Sequence, residues 1–173
     1  GWDHEPFMVP DEIADAWKRE GAHAASQHGE WKKRRDASAK KGAFDAAMAG
    51  ELGDIEAIVR AHKQDVVDSG KDDATRKWSG AVLEKLTASI PEMIGGSADL
   101  TGSVNTKTPD TEPVSAGNFK GRYIHYGGRE HAMAAAMNGM ALHGGLIPYA
   151  GTFLIFTDYM RGAMRLSALM NQR

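Results

Sequence analysis

Residues 121–159 read GRYIHYGGREHAMAAAMNGMALHGGLIPYAGTFLIFTDY, and the punctuation of that stretch decides the fold. Residues 122–126 are rich in β-prone side chains, and Gly127 and Gly128 then turn the chain. From Glu130 onward, a run of Ala and Met predicts a helix over 130–143. Gly144 and Gly145 end it, because glycine just past a helix takes the left-handed conformation without a Cβ penalty. A second short strand fits 146–149, and a last helix fits 156–171. Strand, helix, strand, helix implies parallel strands with crossover helices packed on them.

The segments upstream extend the same pattern. Residues 92–98 begin apolar and end in Gly-Gly-Ser, as a buried strand running into a loop would. Before them a helix fits 75–89, with Val82, Leu83 and Leu86 inward and Pro91 closing it. A turn over 70–74 separates it from a helix over 54–68, where Ile55, Ile58, Val59, His62 and Val66 recur at helical spacing. His62 on that stripe reads as a half-buried packing residue, since no second ligand is paired with it for a metal. Residues 100–120 read as loop, and loops of that length are functional or mobile. The composition shifts near residue 75. Before it the chain is polar, and Pro10 and Asp11 open a helix predicted to run toward Lys41 with thin apolar content (Ile13, Ala14, Trp17, Trp31). Such a helix is expected to lie across another surface as a linker arm.

Ligands of open parallel sheets sit at the carboxyl ends of the strands. Here those ends are 95–99, 127–130 and 150–153, and the informative motifs fall on them. Glu130 opens the helix of small residues. It is either a helix N-terminal acid favoured by the macrodipole, or a carboxyl held near a ring nitrogen. Phe153, Phe156 and Tyr159 recur every three residues, a spacing that puts rings on one helix face, as core or as a stacking pocket for a flat ring. The run Gly95 to Thr101 (GGSADLT) is a glycine-rich loop after a strand, but it lacks the Lys-Ser/Thr ending of a nucleotide P-loop. Arg76 and Ser103 are surface residues by default. A cation and a hydroxyl could also grip a phosphate.

Bulk properties narrow the function classes. The chain has 173 residues, enough for a sizeable core, with 42% hydrophobic and 25% charged residues. A net charge of −2 argues for no general affinity for nucleic acid or membranes. The basic run Lys32 to Arg35 reads as a solvated helix face. No apolar stretch approaches the ~20 residues of a membrane span, and residues 1–7 do not read as a signal peptide. With no cysteine, thiolate nucleophiles and cysteine metal sites are excluded. His4, His23, His28, His125, His131 and His143 form no ligand pair with a nearby acid, so each reads as structural or exposed.

Several segments, in order and at fitting spacing, resemble the transketolases. GWDHEPFMVPDEI (1–13) resembles the end of that family's diphosphate-binding domain as it runs into the linker. ATRKWSGAVLEKL (74–86) is similar to the opening of the pyrimidine-binding domain, and IGGSADLTGS (94–103) to its glycine-rich loop. GRYIHYGGREHAM (121–133), NGMALHGGLIPYAGTFLIFTDY (138–159) and RLSALM (165–170) resemble the elements that follow. The resemblance implies a partial three-layer α/β fold with a mostly parallel sheet, preceded by a helical linker. It divides the chain into 1–75, the end of the diphosphate-binding domain plus linker, and 76–173, the first half of the pyrimidine-binding domain.

The function implied is thiamine-diphosphate-dependent transfer of a two-carbon ketol unit between sugar phosphates, as in the pentose phosphate pathway and the Calvin cycle. By the same resemblance Glu130 matches the glutamate that hydrogen-bonds N1′ of the cofactor's aminopyrimidine. Phe156 matches a cofactor-contacting aromatic, and Phe153 and Tyr159 complete the pyrimidine pocket. Arg76 and Ser103 match residues that bind substrate phosphate. Asp99 resembles an acid near the cofactor and the subunit interface. A cytoplasmic homodimer is implied, with Mg²⁺ or Ca²⁺ bound mainly by parts outside this chain, and no nucleic-acid or membrane partner. The Gly-Asp-Gly metal motif of the family is missing, so the chain is expected to be a fragment that is inactive alone. Two alternatives are a neighbouring thiamine-diphosphate enzyme, of the deoxyxylulose-phosphate synthase or dehydrogenase β-subunit type, and a non-catalytic interaction module. The GGSADL and GREHAM segments favour transketolase over the first, and an open half-sheet that would expose an edge and apolar surface argues against the second.

Overall fold

The computed structural model describes residues 1–172. The chain divides into two compact units, Gly1–Ala43 and Phe44–Arg173. The first unit carries α1 (Asp11–Ala22) and α2 (Ala25–Asp36), neither of which buries a residue. The single helix expected from residue 11 toward 41 is therefore two. Gly21 stands in the last turn of α1, His23 caps it through its N–H to Glu20 O, and a two-residue turn follows. Too few apolar side chains are available there to hold one long helix against the cost of Gly21 and Gly29. Within α2, His28 stacks on Trp31 at 5.8 Å and the Arg35 guanidinium lies 5.3 Å from the same ring.

The second unit is built on helices whose caps are written in the sequence. After α3 (Lys41–Ala49) comes α4 (Ile55–Ser69), where the Asp54 side chain accepts from Ala57 N at 2.9 Å. Gly70, at φ +57°, closes α4 in the left-handed conformation that favours glycine. Ile55, Ile58, Val59, His62 and Val66 are its half-buried stripe, as their spacing predicts. Then α5 (Thr75–Ser89) begins under Asp73, whose carboxylate accepts from Ala74 N at 2.8 Å and pairs with Lys77. That amide and that ammonium hold the Asp73 carboxyl below the usual carboxylate range.

Three parallel strands follow: β1 (Met93–Ser97), β2 (Tyr123–His125) and β3 (Ile147–Pro148), in the order β2-β1-β3. Between them lie α6 (Thr101–Val104), α7 (Glu130–His143), a 3₁₀ turn (Leu154–Phe156) and α8 (Thr157–Leu169). The parallel sheet with crossover helices bears out the α/β class. Pro148 has no N–H to donate, yet β3 pairs with β1 through Ile147 N to Glu92 O and Tyr149 N to Ile94 O. The donorless position faces away from the ladder, where proline is tolerated.

The central strand is buried on both faces. Gly95 lies under the Tyr149 ring and Gly96 under the Tyr126 ring, because successive residues of a strand point to opposite faces. A Cβ at Gly95 would stand 2.5 Å from Tyr149 Cζ, so the sheet needs glycine there. Gly95→Ala is expected to lower stability by about 1–3 kcal/mol through overpacking. Chemical denaturation of the 173-residue chain checks this, and an unchanged midpoint would show that the ring yields freely.

The 100–120 stretch is not mere loop. It contains α6 and is tied to the core by buried threonines. Thr87 Oγ1 bonds Thr108 Oγ1 at 2.8 Å, and Thr111 Oγ1 donates to Thr108 O at 3.0 Å while accepting from Thr108 N. Arg122 closes the far side of this arrangement. Its guanidinium donates to Thr87 O, Ile90 O and Asp110 O at 3.0–3.2 Å. Among the described residues no helix is long and apolar enough to cross a membrane.

Candidate functional site

At the carboxyl end of the sheet, a cleft of about 810 Å³ opens between three segments. The N-terminal end of α5 contributes Thr75, Arg76 and Ser79, α6 contributes Ser103, and the turn after β3 contributes Thr152 and Phe153. Arg76 and Ser103, 27 positions apart in sequence, thus face one space. Arg76 is exposed, and its guanidinium makes no ion pair with a carboxylate among the described residues. An exposed cation beside hydroxyls suits an anionic group. Ser79, one turn after Arg76, and Thr152 were not singled out from sequence. The i, i+3 spacing of Arg76 and Ser79 on a predicted helix was the available signal for the first. For Thr152 no local pattern existed. Its hydroxyl is buried without a hydrogen-bond partner among the described residues.

Phe153 belongs both to this cleft and to an aromatic row. Its ring stacks on Phe156 with centroids 5.9 Å apart and planes at 21°, and Phe156 lies 6.0 Å from Tyr159. The expectation that the three rings share one helix face needs correction. Phe153 is extended backbone ahead of the 3₁₀ turn, Phe156 is the N-cap of α8, and only Tyr159 is inside that helix. The tighter 3₁₀ turn keeps i and i+3 side chains eclipsed, so the rings still meet. They are not core: Phe153 is 44% and Tyr159 67% exposed. An open wall of stacked rings is a surface for another flat ring.

Glu130 lies in the first turn of α7, half-buried, and among the described residues its carboxylate has neither a hydrogen bond nor an ion pair. Its helix packs on α8 in the same direction. His131 touches the Gly162 position, and Asn138 Nδ2 donates to Ala163 O at 2.9 Å while accepting from Ser167 Oγ at 2.6 Å. The N-termini of α7 and α8, with Glu130 in the first turn of one and Phe156 capping the other, therefore lie at one end. Asp99 stands past the carboxyl end of β1, exposed, at φ +60°. Left-handed backbone is uncommon outside glycine, though aspartate tolerates it better than most. No group of three or more His, Asp or Glu side chains among the described residues is placed to hold a metal ion.

A buried polar network underlies the cleft. The Tyr123 hydroxyl, on a side chain with 0% exposure, bonds Thr101 Oγ1 at 2.9 Å and Thr106 Oγ1 at 2.8 Å. Tyr149 donates to Thr106 O at 2.9 Å. Burial, and after it the neighbouring Tyr123 phenol, pushes the Tyr149 hydroxyl up to about 12, so it remains a donor at neutral pH. Ser97 Oγ accepts from Leu100 N at 3.1 Å and donates to Gly151 O at 2.9 Å.

The sequence profile of the family described as "Transketolase, pyrimidine binding domain" matches residues 71–173. The transketolase of Sinorhizobium medicae is 53% identical over 175 residues, which cover 98% of this chain and 25% of that protein. Transketolase from Leishmania mexicana superposes with a TM-score of 0.76 at 32% identity, covering 95% of this chain and 25% of its own. A variant of the Pichia stipitis transketolase in complex with fructose-6-phosphate gives 0.76 at 34% identity, with 96% and 26% covered. The chain spans about a quarter of the length of the curated relatives it matches.

Proposed function

The chain belongs to the transketolase family through its pyrimidine-binding domain, and from that premise we propose that it supplies the pyrimidine-side wall and the phosphate grip of a ketol-transferring site. The activity proposed for the whole enzyme is transfer of a two-carbon ketol unit from a ketose phosphate to an aldose phosphate with thiamine diphosphate. The observation that carries the reading is one cleft lined by Arg76, Ser103 and Phe153, with the Phe153 ring stacked on Phe156.

The residues present fit the aminopyrimidine half of thiamine diphosphate. An unpaired carboxylate at a helix mouth can hold a proton at a ring nitrogen, and Phe153, Phe156 and Tyr159 offer an open stacking wall. Bound there, the cofactor supplies the carbon nucleophile for ketol transfer, and the protein supplies orientation and proton control. Glu130 is assigned to that ring nitrogen and the aromatic row to orienting the ring and excluding water. Arg76 and Ser103 are assigned to the substrate phosphate. Asp99 is assigned to the rim between cofactor and subunit interface. A divalent cation, Mg²⁺ or Ca²⁺, and the diphosphate would be held mainly by elements outside residues 1–173. The same reading places the site in a cytoplasmic homodimer acting in sugar-phosphate interconversion, with each site completed by a second subunit.

The test is a graft in which this chain replaces the matching segment of the Sinorhizobium medicae transketolase. The graft is expected to transfer ketol units, and a folded but inactive graft counts against the activity. Within it, Arg76→Ala is expected to raise KM for the ketose phosphate about tenfold, the worth of one charge-assisted contact. An unchanged KM would remove Arg76 from the phosphate grip.

A further inference from the structure

Ser103 sits on α6, a single turn of helix with too few internal hydrogen bonds to hold itself in place. Its position is instead dictated from below by two buried hydroxyls on different strands. Tyr123, from β2, bonds Thr101 at the start of α6 and Thr106 just past its end. Ser97, the last residue of β1, accepts from Leu100 N at the entry to α6 and donates to Gly151 O. Gly151 precedes Phe153 by two residues, so the Ser97 hydroxyl joins the Ser103 wall of the cleft to the Phe153 wall. Both side chains have 0% exposure and touch no space a ligand could enter.

We propose that Ser97 and Tyr123 are positioning residues that set where Ser103 stands across the cleft from Arg76, and so tune the site's affinity for a phosphate group. The inference rests on the assignment of Arg76 and Ser103 to a phosphate. A buried tyrosine could have satisfied its hydroxyl anywhere in the core. Here it spends both bonds on the two ends of α6, with the His125 ring packed edge-on against it at 5.1 Å. A phenylalanine would fill the same volume, so shape alone does not call for the hydroxyl.

The experiment uses the grafted enzyme with Tyr123→Phe, Ser103→Ala and both together. Donors are a ketose phosphate and a ketol donor that lacks phosphate, with inorganic phosphate as the competing probe. Tyr123→Phe is expected to raise KM for the phosphorylated donor, and Ki for inorganic phosphate, about fivefold, the worth of about one hydrogen bond. Its kcat at saturation should move less than about twofold, as expected when ground-state and transition-state binding are lost equally. The double variant should be no worse than Ser103→Ala alone, because both changes remove one interaction.

In the 173-residue chain, the same substitution should speed amide exchange at Val104 and Asn105, whose N–H groups bond Leu100 O and Thr101 O. Additive effects of Tyr123→Phe and Ser103→Ala, or equal losses on both donors, would overturn the proposal. Should Tyr123→Phe fail to fold, Thr101→Val removes the same bond from its other end and carries the same expectations. If Arg76→Ala raises KM while neither Tyr123→Phe nor Thr101→Val does, this inference fails and the phosphate assignment stands. If none of the three changes KM, both fail.

Discussion

Glu130→Gln in the grafted transketolase is expected to cut kcat by about 10²- to 10⁴-fold, the usual worth of a positioned proton-transfer group. Glutamine keeps the length and one acceptor oxygen but cannot take or give up a proton at a ring nitrogen. The fold should not notice the change. Glu130 makes no hydrogen bond or ion pair among the described residues, and the Arg129 N-cap leaves α7 without a side-chain cap to lose. Loss of a first-turn negative charge costs a helix about 0.3–1 kcal/mol. A thermal midpoint close to that of the parent, together with collapsed turnover at saturating cofactor, is the expected pair of results. Turnover near the parent value would return Glu130 to the role of a helix N-terminal acid.

The second large effect concerns stability. Arg122→Met is expected to destabilise the Phe44–Arg173 unit by about 3 kcal/mol, since hydrogen bonds to a charged group are worth about 1.5–3 kcal/mol each and are not additive. The guanidinium reaches Thr87 O and Ile90 O at the C-terminal end of α5 and Asp110 O in the loop above β2. Those carbonyls include ones a helix terminus leaves without an internal partner. Methionine would fill the space of the aliphatic stem but satisfy none of them. For a chain of this size the loss corresponds to about 6–12 °C in the thermal midpoint. A shift of less than a degree would mean that water replaces the guanidinium at every carbonyl.

Local signals in the sequence carried much of the architecture. The helices at 75–89 and 130–143 begin and end at the residues read from their punctuation, because caps and glycines act within a turn of themselves. The stripe on α4 was legible for the same reason, as 3.6-residue periodicity is a property of neighbours. Where the local signal is weak, the structure differs from the expectation. The long helix from residue 11 split at its turn, and the stretch after Leu100 hid a short helix, since one turn leaves almost no periodicity to detect.

By itself, then, the sequence determined the order and ends of the main elements, the parallel α/β class, the family motifs, and the residue types at the candidate site. Only the tertiary structure decided which of those residues meet. That Arg76 faces Ser103, that Phe153 is shared by the cleft and the ring stack, and that Tyr123, Ser97 and Arg122 tie distant backbone together all depend on partners far apart in the chain. Caps and periodicity are satisfied by residues within a turn or two. A buried hydroxyl or guanidinium, by contrast, must find its partner wherever the sheet brings one, and no neighbour in sequence records which partner that is.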